Sequence, residues 1–354
     1  MKRPAPSSLF NVALATSIYL MWAQNERGWC QDPTPSGSHS SQDGQAQSRP
    51  EAQRVTSRTD TFDGSKALSD LSSLLELGNR YYGAPKREQA IEHLLKGLRS
   101  SGMEVARQDF NQVEPRSGKS YVLTNLIGRF EPSRHHRVLL GSHWDTRLWA
   151  EEDADPARQH HPITGANDGS SGLVVLNEIA RRLPQLGLTT IGIDLVFFDG
   201  EEFGRPGSND YCAGSKYFAA HLRDYYPQAP PVAVIILDMV GDADLSFPPE
   251  RSSAVKARAL TSLIWSEGVR LGLPAFINGL GKDLGPKPPP ISRWIVDDHT
   301  PFQALNIPAT LIIDLDYPYW HTHQDTLDKV SASSLKQTGD VLVASLQRLD
   351  QLVK

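Results

Sequence analysis

Short apolar runs recur along this chain and alternate with longer segments of helical periodicity. Val138–Leu140, Leu195–Phe198, Val232–Leu237 and Ala309–Ile313 have the length and composition of buried strands. A strand that is apolar at every position is buried on both faces, as in parallel sheets that are covered by helices. The alternation of such strands with helices therefore predicts an α/β fold with a mostly parallel sheet covered on both faces.

The segments between these runs carry apolar residues at helical spacing. Two further strands are predicted near Glu104–Phe110 and Tyr121–Gly128. Helices are predicted over Ser65–Tyr82, Lys86–Ser100, Ser171–Leu183, Cys212–Asp224, Ala254–Leu271 and Ser333–Leu352.

The N-terminal region has the composition of an export signal followed by a linker. Lys2 and Arg3 precede a mostly apolar stretch, Leu9–Ala23, that is short for a membrane span. We therefore expect residues 1–25 to be a signal peptide and the protein to be secreted or exported. An uncleaved anchor is the alternative interpretation of the same stretch.

The residues after this stretch are rich in Ser, Gln, Pro, Gly and Asp. We expect residues 26–61 to be a disordered linker and residues 62–354 to be a single folded domain. The two cysteines, Cys30 and Cys212, argue against a disulfide framework. The net charge of -5 and the absence of a long basic run exclude a nucleic-acid partner.

Acidic and imidazole side chains follow the predicted strands or begin the segments after them. Ligands in open α/β sheets bind beyond the carboxyl ends of the strands. A mixture of imidazole and carboxylate without cysteine is compatible with a catalytic zinc site that leaves one position open. The residues are His143, Asp145, Asp168, Glu201, Glu202, Asp238, Asp297, Asp298, His299, His321 and His323.

The adjacent acids Glu201 and Glu202 carry the strongest indication of a cation. Two ionised neighbours at the end of a buried strand repel each other unless a positive charge or a shared proton lies between them. We expect Glu202 to bind a divalent metal and Glu201 to stand beside it as a proton carrier.

Each of these residues alone also fits a purely structural role. A glutamate pair is usually a solvated loop, Asp168 is placed to cap the helix that follows, and His321 beside a tryptophan is more often a packed polar residue. The coincidence of metal-type side chains at five strand ends favours the metal site over these separate explanations.

Six motifs together resemble a known family. They are GSHWDTR, GANDGSSG, VFFDGEE, LDMVGD, DDHTPF and YWHTHQDT, in that order. As a set they resemble the zinc aminopeptidase-like fold, peptidase family M28, and within it the glutaminyl-peptide cyclotransferases. The resemblance implies a three-layer αβα sandwich with a mixed, mostly parallel central sheet. It also implies that residues 62–354 form a single zinc-dependent catalytic domain.

The resemblance also implies roles for individual residues. One Zn²⁺ would be held by Asp168, Glu202 and His321, and Glu201 would be the general acid and base. Asp238 and Asp297 would form an acidic network beside the substrate, with Trp320 and Trp144 in contact with it. In related aminopeptidases a second ion is bound by counterparts of His143 and Asp238, with Asp168 bridging.

Three functions follow from this set of residues. The first is a zinc-dependent glutaminyl-peptide cyclotransferase that converts the N-terminal glutamine of peptides or proteins to pyroglutamate. The second is a zinc aminopeptidase, and the third is an exported binding domain without activity. Asp297–His299 and Trp320 favour the first function, and we expect Asn278–Arg293 to form a loop over the cleft mouth.

Overall fold

The computed structural model describes residues 62–205, 207–280 and 293–353. Within these ranges six strands form one sheet. They are β1 (Glu104–Val113), β2 (Ser120–Phe130), β3 (His136–His143), β4 (Ile191–Phe198), β5 (Ala233–Asp238) and β6 (Ala309–Ile313). The strand order is β1-β2-β4-β3-β5-β6. The pairs β3–β4, β3–β5 and β5–β6 are parallel, whereas β1–β2 and β2–β4 are antiparallel.

Helices cover both faces of this sheet. They are α1 (Gly64–Leu75), α2 (Arg87–Ser100), α3 (Ser171–Arg182), α4 (Ala213–Ala220), α5 (Leu222–Tyr225), α6 (Arg251–Lys256), α7 (Arg258–Arg270), α8 (Pro274–Gly279), α9 (Thr300–Ala304) and α10 (Ala332–Leu352). The predicted α/β class and the mixed, mostly parallel three-layer arrangement are therefore confirmed.

Two hydrophobic cores lie on opposite faces of the sheet because successive strand residues point in opposite directions. Leu139 in β3 belongs to the core that contains Phe218 and Phe302. The next residue, Leu140, belongs to the core that contains Leu342 of α10. All five side chains are fully buried, and each contributes about 1.5–3 kcal/mol of hydrophobic stabilisation.

Several predicted helices differ from the observed ones at their ends. The helix predicted to reach Tyr82 ends at Leu75, and Gly78 then takes a left-handed conformation with φ 87°. The helix predicted over Ala254–Leu271 begins earlier because Glu250 accepts hydrogen bonds from the N–H groups of the first turn. It is also broken at Ala257, where φ is -122°, and the local sequence does not explain that break.

Three predicted segments fall wholly or mostly outside the described residues: the signal peptide over 1–25, the linker over 26–61 and the loop Asn278–Arg293. The described residues belong to one compact unit that spans Thr61–Lys354. No helix in the described ranges has the length and apolar content that crossing a membrane requires.

Candidate metal centre

Three neighbouring parallel strands end at one edge of the sheet and carry polar side chains there. His143 is the last residue of β3, and Asp238 is the last residue of β5. Glu201 and Glu202 follow β4 in a 3-10 turn. Because the carboxyl ends of parallel strands meet at the same edge, these four side chains converge in one cleft.

Gly200 turns the chain so that both acids after β4 face this cleft. Its φ is 73°, and a Cβ at this position would lie 2.6 Å from a side-chain carbon of Leu123. The Asp145 carboxylate then accepts hydrogen bonds from the backbone N–H groups of Glu201 and Glu202, at 3.2 and 3.1 Å. Asp145 therefore fixes the turn that presents the paired acids.

Asp168 reaches the cleft from the loop before α3. Backbone N–H groups of Asn167 and Asp168 donate to the carboxylate of Asp325, at 2.8 and 3.1 Å, which holds this loop. The N-cap position of α3 is occupied by Ser170, so Asp168 does not cap the helix. Its carboxylate is buried and is directed towards the other acids of the cleft.

His321 enters the cleft from the loop that follows β6. It adopts a left-handed backbone conformation with φ 53°, which is unusual for a residue with a side chain. The indole of Trp320 stacks on its ring, with centroids 3.9 Å apart and an interplanar angle of 24°. Such strained residues persist only where their surroundings hold them, and they cluster at functional sites.

Asp168, Glu202 and His321 form a group that can hold a metal ion. Their ligand atoms all lie within 4.8 Å of one another. His321 Nε2 is 3.0 Å from Glu202 Oε1 and 3.6 Å from Asp168 Oδ2. Ligands that bind zinc tetrahedrally at about 2.0 Å are about 3.3 Å apart, so these separations match the requirement.

One oxygen of this group lacks any other partner. Asp168 Oδ2 is buried and accepts no hydrogen bond from the described residues. A buried anionic oxygen without a donor is costly unless a cation binds it. Two carboxylates and one imidazole, with no thiolate, are a donor set that zinc accepts, so the residues fit a zinc ion.

His143, Asp168 and Asp238 form a second group of the same kind. His143 Nε2 lies 3.2 Å from Asp168 Oδ1 and 3.1 Å from Asp238 Oδ1. Asp168 thus directs one oxygen to each group. The structure brings together every ligand that the sequence predicted for a first and for a second ion.

Burial and like charges raise the pKa of several carboxyl groups in the cleft. Burial, followed by repulsion from Glu202, raises the pKa of Asp168 to about 8 and that of Glu201 well above its usual range. By contrast, the His321 ring and the Arg147 guanidinium outweigh burial at Glu202, where the pKa is lowered. The cleft therefore contains more carboxyl groups than its cationic side chains can neutralise, and a divalent ion would stabilise their ionised form.

Glu201 lies in the cleft beside Glu202 but outside both ligand groups. The Cys212 thiol donates a hydrogen bond to its Oε1 at 3.2 Å. A carboxyl group that lines a pocket and has a raised pKa is suited to both accepting and donating a proton.

Asp297 and Asp298 precede α9 and are both buried. Asp297 lines the pocket, and burial together with repulsion from Asp238 raises its pKa well above the usual range. Burial raises the pKa of Asp298 to about 7. Asp238 and Asp297, the two members of the acidic network that the resemblance implies, both line the pocket, and their contact with a substrate stays a prediction.

The cleft is a pocket of about 740 Å³ with an acidic floor and an apolar wall. Trp320 lines it and is 43% exposed, so its side chain is accessible for the predicted substrate contact. Its other lining residues include Ser208, Asn209, Tyr211, Lys216, Met239, Trp294, Ile295, Val296, Ile313 and Leu315.

The predicted substrate contact of Trp144 is wrong in this structure. Its side chain is fully buried, and its indole N–H donates to the backbone oxygen of Thr124 at 2.9 Å. The guanidinium of Arg87 lies over its ring, 4.4 Å from the centroid. Trp144 directly follows the last residue of β3, so its side chain points away from the side to which His143 points.

Two residues next to the metal ligands were not predicted to act at the site. Arg147 Nη1 donates to Glu202 Oε2 at 3.1 Å, and His321 Nδ1 lies 3.0 Å from Glu151 Oε1. Arg147 belongs to the GSHWDTR motif and was recognisable as a neighbour of the site. Glu151 lies in a loop without periodicity, so no sequence pattern indicated it.

Comparison with known proteins gives a consistent set of relatives. The profile of peptidase family M28 matches residues 125–346. A curated relative, the glutaminyl-peptide cyclotransferase of Drosophila melanogaster, is 23% identical over 261 residues, which is 70% of each chain.

Solved structures with the same fold include cyclases and peptidases. Porphyromonas gingivalis glutaminyl cyclase is 30% identical with a TM-score of 0.73, and the match covers 82% of this chain and 99% of that one. A leucine aminopeptidase precursor from Bacteroides thetaiotaomicron is 28% identical with a TM-score of 0.73, covering 81% and 97%. Overall similarity therefore supports both activities.

Proposed function

The chain belongs to peptidase family M28, and from this premise we propose that it is a zinc-dependent glutaminyl-peptide cyclotransferase. It would convert the N-terminal glutamine of peptides or proteins to pyroglutamate and release ammonia. The observation that carries the proposal is the convergence of Glu201 with the ligand group Asp168, Glu202 and His321 in one pocket. The N-terminal segment supports the further proposal that the protein is exported.

Zinc bound by Asp168, Glu202 and His321 would polarise a substrate carbonyl group and neutralise part of the acidic floor. Asp238 and Asp297 line the same pocket and provide carboxyl oxygens for the α-amino group of the substrate. The amine and the side-chain amide belong to the same glutamine residue, so the attack is intramolecular, and holding both groups in place lowers much of the barrier.

Glu201 is placed to transfer the proton. The neutral α-amine attacks the γ-carbon of glutamine, and the attacking nitrogen gives one proton to Glu201. Glu201 passes that proton to the departing nitrogen, which leaves as ammonia while the C–N bond of the side-chain amide breaks. The raised pKa of Glu201 suits it to both halves of this transfer.

A zinc aminopeptidase is the second candidate, and the group His143, Asp168 and Asp238 favours it. A second ion there would provide the two-metal arrangement that the resemblance implies for the peptidases. In that reaction Glu201 would activate a water molecule, and the first peptide bond of the substrate would break.

One assay separates the two candidates. The zinc-loaded full chain is given two peptides that differ only in starting with Gln or with Leu, and products are identified by ammonia release and mass spectrometry. Ammonia and a cyclised peptide from the Gln substrate support the cyclotransferase. Free N-terminal amino acids without ammonia would overturn it in favour of the peptidase, and activity on neither peptide would overturn both.

A further inference from the structure

Residues 151–153 contact the loop that carries His321 at several points. The backbone N–H of Glu152 donates to the carbonyl oxygen of His321 at 3.3 Å. Asp153 Oδ2 accepts the backbone N–H of His323 at 3.1 Å and lies 2.9 Å from Nδ1 of the same residue. Glu151 Oε1 lies 3.0 Å from His321 Nδ1. We refer to residues 151–153 as the clamp segment.

The clamp segment contacts a metal-ligand residue whose backbone conformation is unfavourable. His321 has a positive φ of 53°, so its backbone stays in this conformation only if the surroundings keep it there. The contact between Nδ1 and Glu151 leaves Nε2 facing Glu202 and Asp168, at 3.0 and 3.6 Å. The separation of 3.0 Å places the Glu151 carboxylate against the far side of the imidazole, although Nδ1 makes no hydrogen bond of good geometry with the described residues.

Arg147 connects this contact to a second ligand. Its side chain is fully buried, and Nε lies 3.0 and 3.2 Å from the two carboxylate oxygens of Glu151. Nη1 of the same guanidinium donates to Glu202 Oε2 at 3.1 Å. One rigid cation thus fixes the carboxylate behind His321 and the carboxylate of Glu202 together.

We propose that Glu151 and Arg147 are positioning residues that set the zinc affinity of this site. They act through His321 and Glu202 and do not touch the reacting atoms. Carboxylate partners of a zinc-bound histidine fix its ring and its tautomer, and their loss weakens metal binding. The inference rests on the zinc centre of the proposed function.

The test compares two adjacent glutamates. Glu151→Ala removes the partner of His321, whereas Glu152→Ala removes an exposed neighbouring side chain and leaves the backbone contact in place. Zinc affinity is measured for each full-length variant by competition with a chelating dye. We expect Glu151→Ala to bind zinc about 10- to 100-fold more weakly than the wild type, and Glu152→Ala to bind within about twofold of it.

A second readout separates positioning from catalysis. At saturating zinc, Glu151→Ala should recover a kcat within about threefold of the wild type, because the completed site has the same ligands. Glu151→Gln keeps a side-chain oxygen near His321 Nδ1, so it should lose less zinc affinity than Glu151→Ala. If Glu151→Ala does not fold, Glu151→Gln and Arg147→Lys decide the question by the same titration.

Equal zinc affinities for Glu151→Ala and Glu152→Ala would overturn the proposal, as would a kcat that stays low when zinc saturates the variant. Wild-type protein that binds no zinc would instead overturn the metal centre itself. Zinc binding without cyclase or peptidase activity would leave the positioning role intact and refute only the proposed function.

Discussion

Two buried charged clusters lie along strand β4 and beyond its end, and they differ in how completely their charges are paired. Midway along it, Asp194 accepts hydrogen bonds from Arg129 Nε at 3.1 Å, from Arg137 Nε at 3.0 Å and from the Tyr226 hydroxyl at 2.8 Å. We call these four residues the Asp194 cluster. One carboxylate there is matched by two cations and a hydroxyl group, and the arrangement is closed.

The cluster beyond the end of β4 contains a carboxylate oxygen without a partner in the described ranges, and we call it the open cluster. Asp168, Glu201, Glu202, Asp238 and Asp297 line one pocket, and Asp168 Oδ2 accepts no hydrogen bond from the described residues. An unpaired buried carboxylate oxygen lowers stability by more than a paired one, because no donor offsets the cost of removing it from water. The two clusters are both buried and charged, so the state of pairing distinguishes the Asp194 cluster from the candidate metal site.

The largest expected effect tests the open cluster. Glu202→Ala or His321→Ala removes one of three ligands, so we expect zinc content close to zero by elemental analysis. Activity should fall by on the order of 10³-fold or more, because the polarisation that zinc supplies is worth several kcal/mol. Full zinc content in both variants would show that the ligand group has been identified incorrectly.

The second largest expected effect tests the Asp194 cluster. Asp194→Ala leaves the buried guanidinium of Arg137 without its partner, and we expect the free energy of unfolding to fall by about 3–5 kcal/mol. Chemical denaturation measures this loss, and the activity of the folded fraction should be unchanged. Asp70→Ala, which breaks a half-exposed pair with Arg181, is the control and should cost about 1 kcal/mol or less.

A loss of stability for Asp194→Ala no larger than that for Asp70→Ala would remove the distinction between the two clusters. So would a loss of zinc or of activity per folded molecule in Asp194→Ala.

A smaller effect separates chemistry from metal binding within the open cluster. Glu201→Gln should keep its zinc, because Glu201 belongs to neither ligand group. Its turnover should fall by on the order of 10²-fold or more, because glutamine cannot carry the proton. Steady-state kinetics and metal analysis on the same preparation provide the test, and normal turnover would remove Glu201 from the mechanism.

The smallest effect is a pH dependence with opposite signs for the open cluster and for a paired acid. Asp168, with a pKa near 8 without metal and about 3.9 when unfolded, binds more protons in the folded state between these values. The metal-free protein should therefore lose stability as the pH rises from about 4 to about 8. Because zinc needs the ionised carboxylate, the increase in Tm that zinc produces should grow over this range.

Glu250 provides the contrast. Burial opposes its ionisation, but hydrogen bonds from His299, Ser252 and Ser253 outweigh burial and lower its pKa to about 2. Its contribution to stability is present above its unfolded pKa of about 4.3 and is lost as the pH falls towards 2. Thermal unfolding with and without zinc at pH 5, 6.5 and 8 measures the first trend, and a zinc effect independent of pH would contradict it.

Strand positions were predictable because they follow from local patterns of apolar residues. The strand predicted over Ala309–Ile313 has these bounds in the structure, and the helix predicted to begin at Lys86 begins one residue later. Strand ends indicated where polar side chains converge, because parallel strands bring their carboxyl ends together. The two ligand groups themselves followed from the resemblance of the motifs to family M28.

Contacts between loops were not predictable in this way. Glu151 and His321 meet because two irregular segments pack together, and neither segment has a periodicity that records the contact. The resemblance implied a substrate contact for Trp144, yet alternation along the strand sends the side chains of His143 and Trp144 to opposite sides, and Trp144 is buried. At the end of a strand, a residue that neighbours a site residue in sequence need not direct its side chain towards the site.

The ligands are distributed along most of the folded chain, which limits when the protein can bind zinc during synthesis. Asp168 and His321 belong to opposite halves of the sequence, and they approach only after parallel strands between them have paired. Such long-range pairing is slow compared with helix formation. High-affinity zinc capture should therefore be a late event during synthesis, and no nascent chain that ends before β6 can complete the site.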